Sequence, residues 1–199
     1  MRRLALVPMS GFAFRSTLLL AAALAASGTN AAVTILGGGL GRECYAAAEL
    51  KKETAASVTT CSRALEDELM SRRDRAATLV NRGIIYMQAR SLESALADYR
   101  EAIRMEPKLA EAHVNLGIAL LHVGGRDSEA IASLTRGLEM NPSRPEVALY
   151  TRAVAYELVG NVRRAFEDYT AAAAINPEWK EPAEQLKRFS VERRETARG

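Results

Sequence analysis

Between Ala76 and Pro177 the chain passes three times through one order of small, bulky and proline positions. The first passage is Gly83, Tyr86, Ala95, Tyr99, Ala102, Pro107; the second is Gly117, Leu120, Ala130, Leu134, Gly137, Pro142; the third is Ala153, Tyr156, Ala165, Tyr169, Ala172, Pro177. A residue and its neighbour three or four positions on share one face of a helix, so each passage predicts two helices that meet along small residues. Proline closes each unit because inside a helix it loses a hydrogen bond and clashes with the preceding turn. Ser91 and Asn161 precede second helices as candidate N-caps. The interval from Gly83 to Ala95 is 12 residues, from Gly117 to Ala130 is 13 and from Ala153 to Ala165 is 12, with the extra residue falling near Gly124 and Gly125. A second extra residue near Pro145 separates units two and three. Both insertions lie in turns, where they leave the helices whole.

Ahead of the repeats, apolar and small residues recur at helical spacing over Arg42 to Leu50 and Ser57 to Met70, separated by the polar KKETAA. This predicts a helical hairpin over residues 42–75. Aligning Cys61 with Tyr99 and Ala64 with Ala102 makes it a degenerate zeroth repeat. The segment before it, VTILGGGLGREC, has four glycines but lacks the Lys and Ser or Thr of a phosphate-binding loop, and reads as a Gly-rich linker over 33–41. Residues 1–32 have the parts of an export signal: arginines, the apolar run Thr17 to Ala26, and small residues that allow cleavage between 27 and 32. That run is shorter than the roughly 20 residues of a membrane helix, so no integral span is expected after cleavage. An uncleaved anchor is the competing expectation, because Leu4 to Phe14 adds apolar length.

Charge narrows the function. The net +3 resides in Arg2, Arg3 and Arg15, and the remainder of the chain is balanced. Nucleic acid, which demands a positive field along one face, is not an expected partner. Cys44 and Cys61 fall on the two helices of the hairpin in a chain that reads as exported, which favours a structural disulfide; two buried free thiols are the alternative. Neither a Cys-x-x-Cys nor an adjacent histidine accompanies them, as redox or metal chemistry would want. His113 and His122 are nine residues apart on different sides of a helix, and no nucleophile elbow or zinc motif is present, so no metal, cofactor or catalytic residue is expected. The acids Glu66 to Glu68 alternate with Arg63, Arg72 and Arg73 as a solvated face.

Residue types and spacing across Ala76 to Pro177 resemble the tetratricopeptide repeat family, with its 34-residue period. Two departures stand out: the family's early Trp position carries Leu79, His113 and Leu149, and Arg90 takes the place of a common turn glycine. The resemblance implies an all-α, right-handed α-α superhelix: a hairpin at 42–75, repeats at 76–109, 110–145 and 146–179, and a capping helix and tail over 180–199. It further implies a concave face built by the first helices, which in this family binds extended or helical peptides. Its positions fall on Val80, Asn81, Ile84 and Met87, then Val114, Asn115, Ile118 and Leu121, then Tyr150 and Val154. Asn81 and Asn115 would hold a ligand backbone while the aliphatics take its side chains, although any one aliphatic can instead pack on the hairpin or the closing helix. The family's clamp for a C-terminal carboxylate needs Lys and Arg, where this chain has Val80, Ile84, Asn115, Val147 and Thr151; no such clamp is expected. The function implied is a non-enzymatic adaptor for a protein or peptide partner, periplasmic or secreted in a Gram-negative bacterium; the alternative is a structural subunit of an envelope complex, tethered by its uncleaved signal.

Overall fold

A computed structural model describes residues 2–6, 32–34, 39–52 and 54–193. The apolar run of the signal, both cleavage positions, Gly37, Gly38 and the last six residues lie outside them. The described residues form nine helices: α1 (Leu40–Glu49), α2 (Ala55–Asp67), α3 (Arg72–Gln88), α4 (Leu92–Met105), α5 (Ala110–Val123), α6 (Asp127–Glu139), α7 (Pro145–Leu158), α8 (Val162–Ile175) and α9 (Glu181–Leu186). One two-stranded ribbon accompanies them, β1 (Arg2–Leu6) antiparallel to β2 (Phe189–Arg193), with Leu4 opposite Val191. The chain divides into two compact units, residues 28–144 and residues 1–27 with 145–199.

In the first unit, successive helices pair as α1 with α2, α3 with α4 and α5 with α6. The small positions of the ladder set the closeness of these pairs. A Cβ on Gly83 would stand 2.5 Å from Cε1 of Tyr99, and one on Gly117 would stand 2.5 Å from Cγ of Leu134, both fully buried side chains. The prolines lie just past helix ends, Pro107 after Met105 and Pro142 after Glu139. The zeroth hairpin is held at four points. Cys44 and Cys61 form a disulfide. Gln88 Nε2 of α3 donates to the Ala48 carbonyl of α1 (3.4 Å), while from the same helix Arg75 and Arg82 reach the Leu65 carbonyl (2.6 Å) and Ser62 Oγ (2.9 Å) of α2. Glu68 departs from the solvated face expected of it: its carboxylate accepts the Leu40 and Gly41 N–H groups at 2.5 and 3.1 Å. It thereby caps α1, whose exposed amides and dipole favour a negative charge there.

The second unit holds the α7/α8 pair, in which Ala153 and Tyr169, both fully buried, occupy the ladder positions of Gly83 and Tyr99. The closing helix expected from about Lys180 to Arg194 is cut short. Helix α9 is six residues long, and Phe189–Arg193 then runs as a strand. The reason is tertiary: the backbone of Phe189–Arg193 pairs with Arg2–Leu6, and Phe189 finds aromatic partners on α8. Phe189 packs on Phe166 and Tyr169 of α8, with ring centroids 5.6 and 6.1 Å apart.

Repeats one and three share a device the ladder does not contain. Arg82 of α3 makes a two-point ion pair with Asp98 of α4 (2.8 and 2.8 Å), and Arg152 of α7 does the same with Asp168 of α8 (2.7 and 2.9 Å). Each guanidinium also lies over a tyrosine four residues on, Tyr86 and Tyr156, at 5.8 Å. In repeat two the matching residues are Leu116, Ser133 and Leu120. All three members change together, and Ser133 Oγ instead donates to the His113 carbonyl at 2.8 Å.

Of the two expected caps, Asn161 accepts the Arg164 N–H at 3.3 Å, whereas the Ser91 side chain makes no capping bond. The turn beside Ser91 is the strained one. Arg90 has φ 58°, and the equivalent residues of the other repeats, Gly124 and Gly160, have φ 80° and 76°. A left-handed conformation costs an L-residue roughly 1–2 kcal/mol. Glycine removes that cost and returns about half of it as chain entropy. Arg90→Gly is therefore expected to stabilise the protein by about 0.5–1 kcal/mol, read as a rise in the urea midpoint; a fall would show that the Arg90 side chain itself holds the turn.

Candidate peptide-binding surface

Gly83 faces Tyr99 of α4. Two residues along a helix is a rotation of about 200°, so Asn81 points away from α4, toward the face that the first helices share. There its amide has a partner within the chain. Oδ1 of Asn81 accepts the Val33 N–H and Nδ2 donates to the Val33 carbonyl, each at 2.8 Å, with Asn81 fully buried and Val33 8% exposed. Both polar groups of one residue are thus satisfied by one side chain, as a neighbouring strand would satisfy them. Thr34 beside it is exposed. The sequence contained no signal for this contact, because a residue 48 positions away cannot be paired by periodicity.

The apolar positions expected around the amides are closed off. Val80, Ile84 and Met87 on α3 and Val114, Ile118 and Leu121 on α5 are all buried, as is Asn115. In the second unit Tyr150 and Val154 are buried as well. Tyr150 packs edge-on to Tyr169 (5.4 Å between centroids) and against Trp179 (4.9 Å), so the segment after α8 takes up the face that the repeat pattern left for a ligand. Lys and Arg are missing from the carboxylate-clamp positions, and Thr151 spends its hydroxyl on the Val147 carbonyl of its own helix (2.8 Å). This surface is suited to an uncharged backbone rather than to an anionic terminus.

The histidines have ordinary duties. His113 Nε2 lies 3.0 Å from the Pro107 carbonyl. His122 is half-buried at the end of α5, its pKa lowered first by burial and then by the Arg90 charge. Among the described residues no group of His, Cys, Asp and Glu could hold a metal ion, and no helix is long and apolar enough to cross a membrane.

Residues 83–124 match the family model described as TPR repeat. Over 112 residues the chain is 32% identical to the mitochondrial import receptor subunit TOM70 of Mus musculus, an alignment covering 53% of this chain and 18% of that protein; the chain thus spans under a fifth of that relative's length. Among solved structures it is similar to MamA, with a TM-score of 0.61 at 18% identity over 76% of this chain and 82% of that one. It is similar also to YrrB, described as a TPR protein with an unusual peptide-binding site, with a TM-score of 0.59 at 19% identity over 74% of each. The laddered helix pairs, the matched repeat and these shared folds agree: residues 83–124 carry a TPR repeat, and the chain has the fold of these repeat proteins.

Proposed function

We propose that the protein is a non-enzymatic adaptor of the cell envelope, periplasmic or secreted, that holds an extended segment of a partner protein along the face of its first helices. The observation that carries this reading is the Asn81 amide, which is placed and oriented to pair with both backbone polar groups of one residue. Val114, Ile118 and Asn115 on the next first helix repeat the same apolar and amide character; they are buried in the free chain, so a segment reaches them by displacing what covers them. The peptide-binding site described for YrrB supports such a use of the fold. The arginines and apolar run of residues 1–32, which have the pattern of an export signal, are the ground for the location.

A second reading is a structural subunit that keeps its N-terminal segment and works through its outer helices. It draws support from the pairing of Arg2–Leu6 with Phe189–Arg193, which cleavage would remove.

Photo-crosslinking in the native envelope separates the two. A photoreactive residue at His122, seven positions after Asn115 and so on its face of α5, is expected to trap a discrete partner. One at Arg136, exposed on the second helix of that repeat, is expected to trap none. Adducts from position 136 with none from 122 would favour the structural subunit.

A further inference from the structure

The same amide that recommends the surface for a partner is already engaged by the protein's own chain. We propose that the segment around Val33 is a ligand in cis for the first repeat, and that the surface accepts an extended, uncharged segment with a β-branched apolar residue at the position of Val33. Three observations bear on the class of ligand. First, Asn81 reads only an N–H and a C=O, which every residue except proline supplies, so the contact fixes backbone direction without demanding a particular side chain. Second, side chains alternate between buried Val33 and exposed Thr34, so selectivity resides in the single inward residue. Third, the clamp positions flanking Asn81 on α3 are Val80 and Ile84, and neither offers a counter-ion to a charged side chain or a terminal carboxylate.

The sequence between this segment and α1 is Ile35, Leu36 and three glycines, and α1 is fixed to α2 by the Cys44–Cys61 disulfide. The segment is therefore joined to a fixed point beside its own docking position. A short tether of this kind presents its end at an effective concentration of about a millimolar. An outside segment must compete with that. Cleavage of the signal after Ser27 or after Ala31 would leave Val33 in the chain in either case, so the exported protein would retain its cis ligand.

The cis contact is independent of the adaptor reading, while the ligand class rests on it, and the test keeps them apart. Amide exchange in the full chain addresses the contact alone. Val33 is expected to exchange about a hundredfold more slowly than an unstructured amide, and in Asn81→Ala to return to within about tenfold of it, while Ile84 in the same helix stays protected. A wild-type Val33 amide that exchanges at the unstructured rate overturns the proposal. The ligand class is addressed with a fluorescent N-acetyl-Ala-Val-Thr-Ile-Leu-amide peptide. Val33→Pro removes the donor to Asn81 and frees the surface, so this variant is expected to bind the peptide at least about tenfold more tightly than the wild type. Adding Asn81→Ala to it should abolish binding. Equal binding to wild type and Val33→Pro would overturn the assignment of the surface to this class of segment, even with Val33 protected.

Discussion

Replacing Tyr99 with alanine is expected to destabilise the first unit by about 3–5 kcal/mol, whereas Tyr99→Phe is expected to leave stability unchanged or raise it by about 1 kcal/mol. The contrast follows from what the side chain does. Its ring is fully buried against Gly83, whose missing Cβ is what admits it. Removing the ring leaves a cavity between α3 and α4 that two backbone-close helices cannot collapse to fill, since packed interiors relax only in part. The hydroxyl contributes differently. It has no hydrogen-bond partner among the described residues, and burial pushes its pKa well above the usual tyrosine value. Removing an unpaired buried hydroxyl takes away a desolvation cost and loses no bond. Urea denaturation followed by helical circular dichroism measures both variants. A Tyr99→Phe loss of more than 1 kcal/mol would reveal a partner for the hydroxyl and refute its isolation.

Tyr99 also shows why the repeat core was legible in the sequence. A large residue that needs a missing Cβ opposite it writes two marks, Tyr99 and Gly83, at a fixed interval, and the same pair recurs as Leu134 with Gly117 and Tyr169 with Ala153. Steric exclusion leaves a pattern in residue size, and size is readable from a sequence. The Arg82–Asp98 and Arg152–Asp168 pairs were readable in principle too, through their common spacing of 16 residues, but repeat two breaks the series with Leu116 and Ser133. Exposed charges are common enough that two matching pairs do not stand out. Glu68 shows a different loss: as one acid among several at the end of α2 it is indistinguishable from Glu66, and only the position of the α1 amides selects it.

The candidate surface was half legible. Its positions on α3 and α5 follow from the ladder, because residues between the ladder marks must face the other way. Their occupancy does not follow. Val33 reaches Asn81 through a contact between its backbone and a side chain, and backbone groups are identical in every non-proline residue, so no sequence signature distinguishes a segment that docks from one that does not. The end of the chain departs from its local pattern for a related reason. Lys180 to Arg194 contains enough charged and helix-favouring residues to continue a helix, but Phe189 finds Phe166 and Tyr169, and a strand partner exists 183 or more residues earlier in Arg2–Leu6. Tertiary partners outweigh local propensity over so short a stretch.

Breaking the Cys44–Cys61 bond, by reduction or by Cys44→Ser with Cys61→Ser, is expected to remove about 3 kcal/mol of stability, and the loss should fall on α1 before the rest. The two cysteines are 17 residues apart, so the bond forbids the open conformations of the α1–α2 hairpin in the unfolded chain. Helix α1 has ten residues, too few to persist alone in water. Without the bond it retains the Glu68 cap, the Gln88 contact and the burial of Ala47 and Ala48. Amide exchange of Ala47 and Ala48 should then accelerate while that of Ile84 and Ile85 in α3 is little changed. The consequence reaches the surface. With α1 released, Val33 is tethered through α1 and the turn up to Ala55, where α2 is still held to α3, rather than through the few residues before Gly39. A longer closure lowers its effective concentration at Asn81. Reduced protein should accordingly bind the Ala-Val-Thr-Ile-Leu peptide more tightly than oxidised protein, in the direction of Val33→Pro. If oxidised and reduced chains melt together and bind the peptide alike, α1 is held by packing alone, and the disulfide has no part in presenting the cis segment.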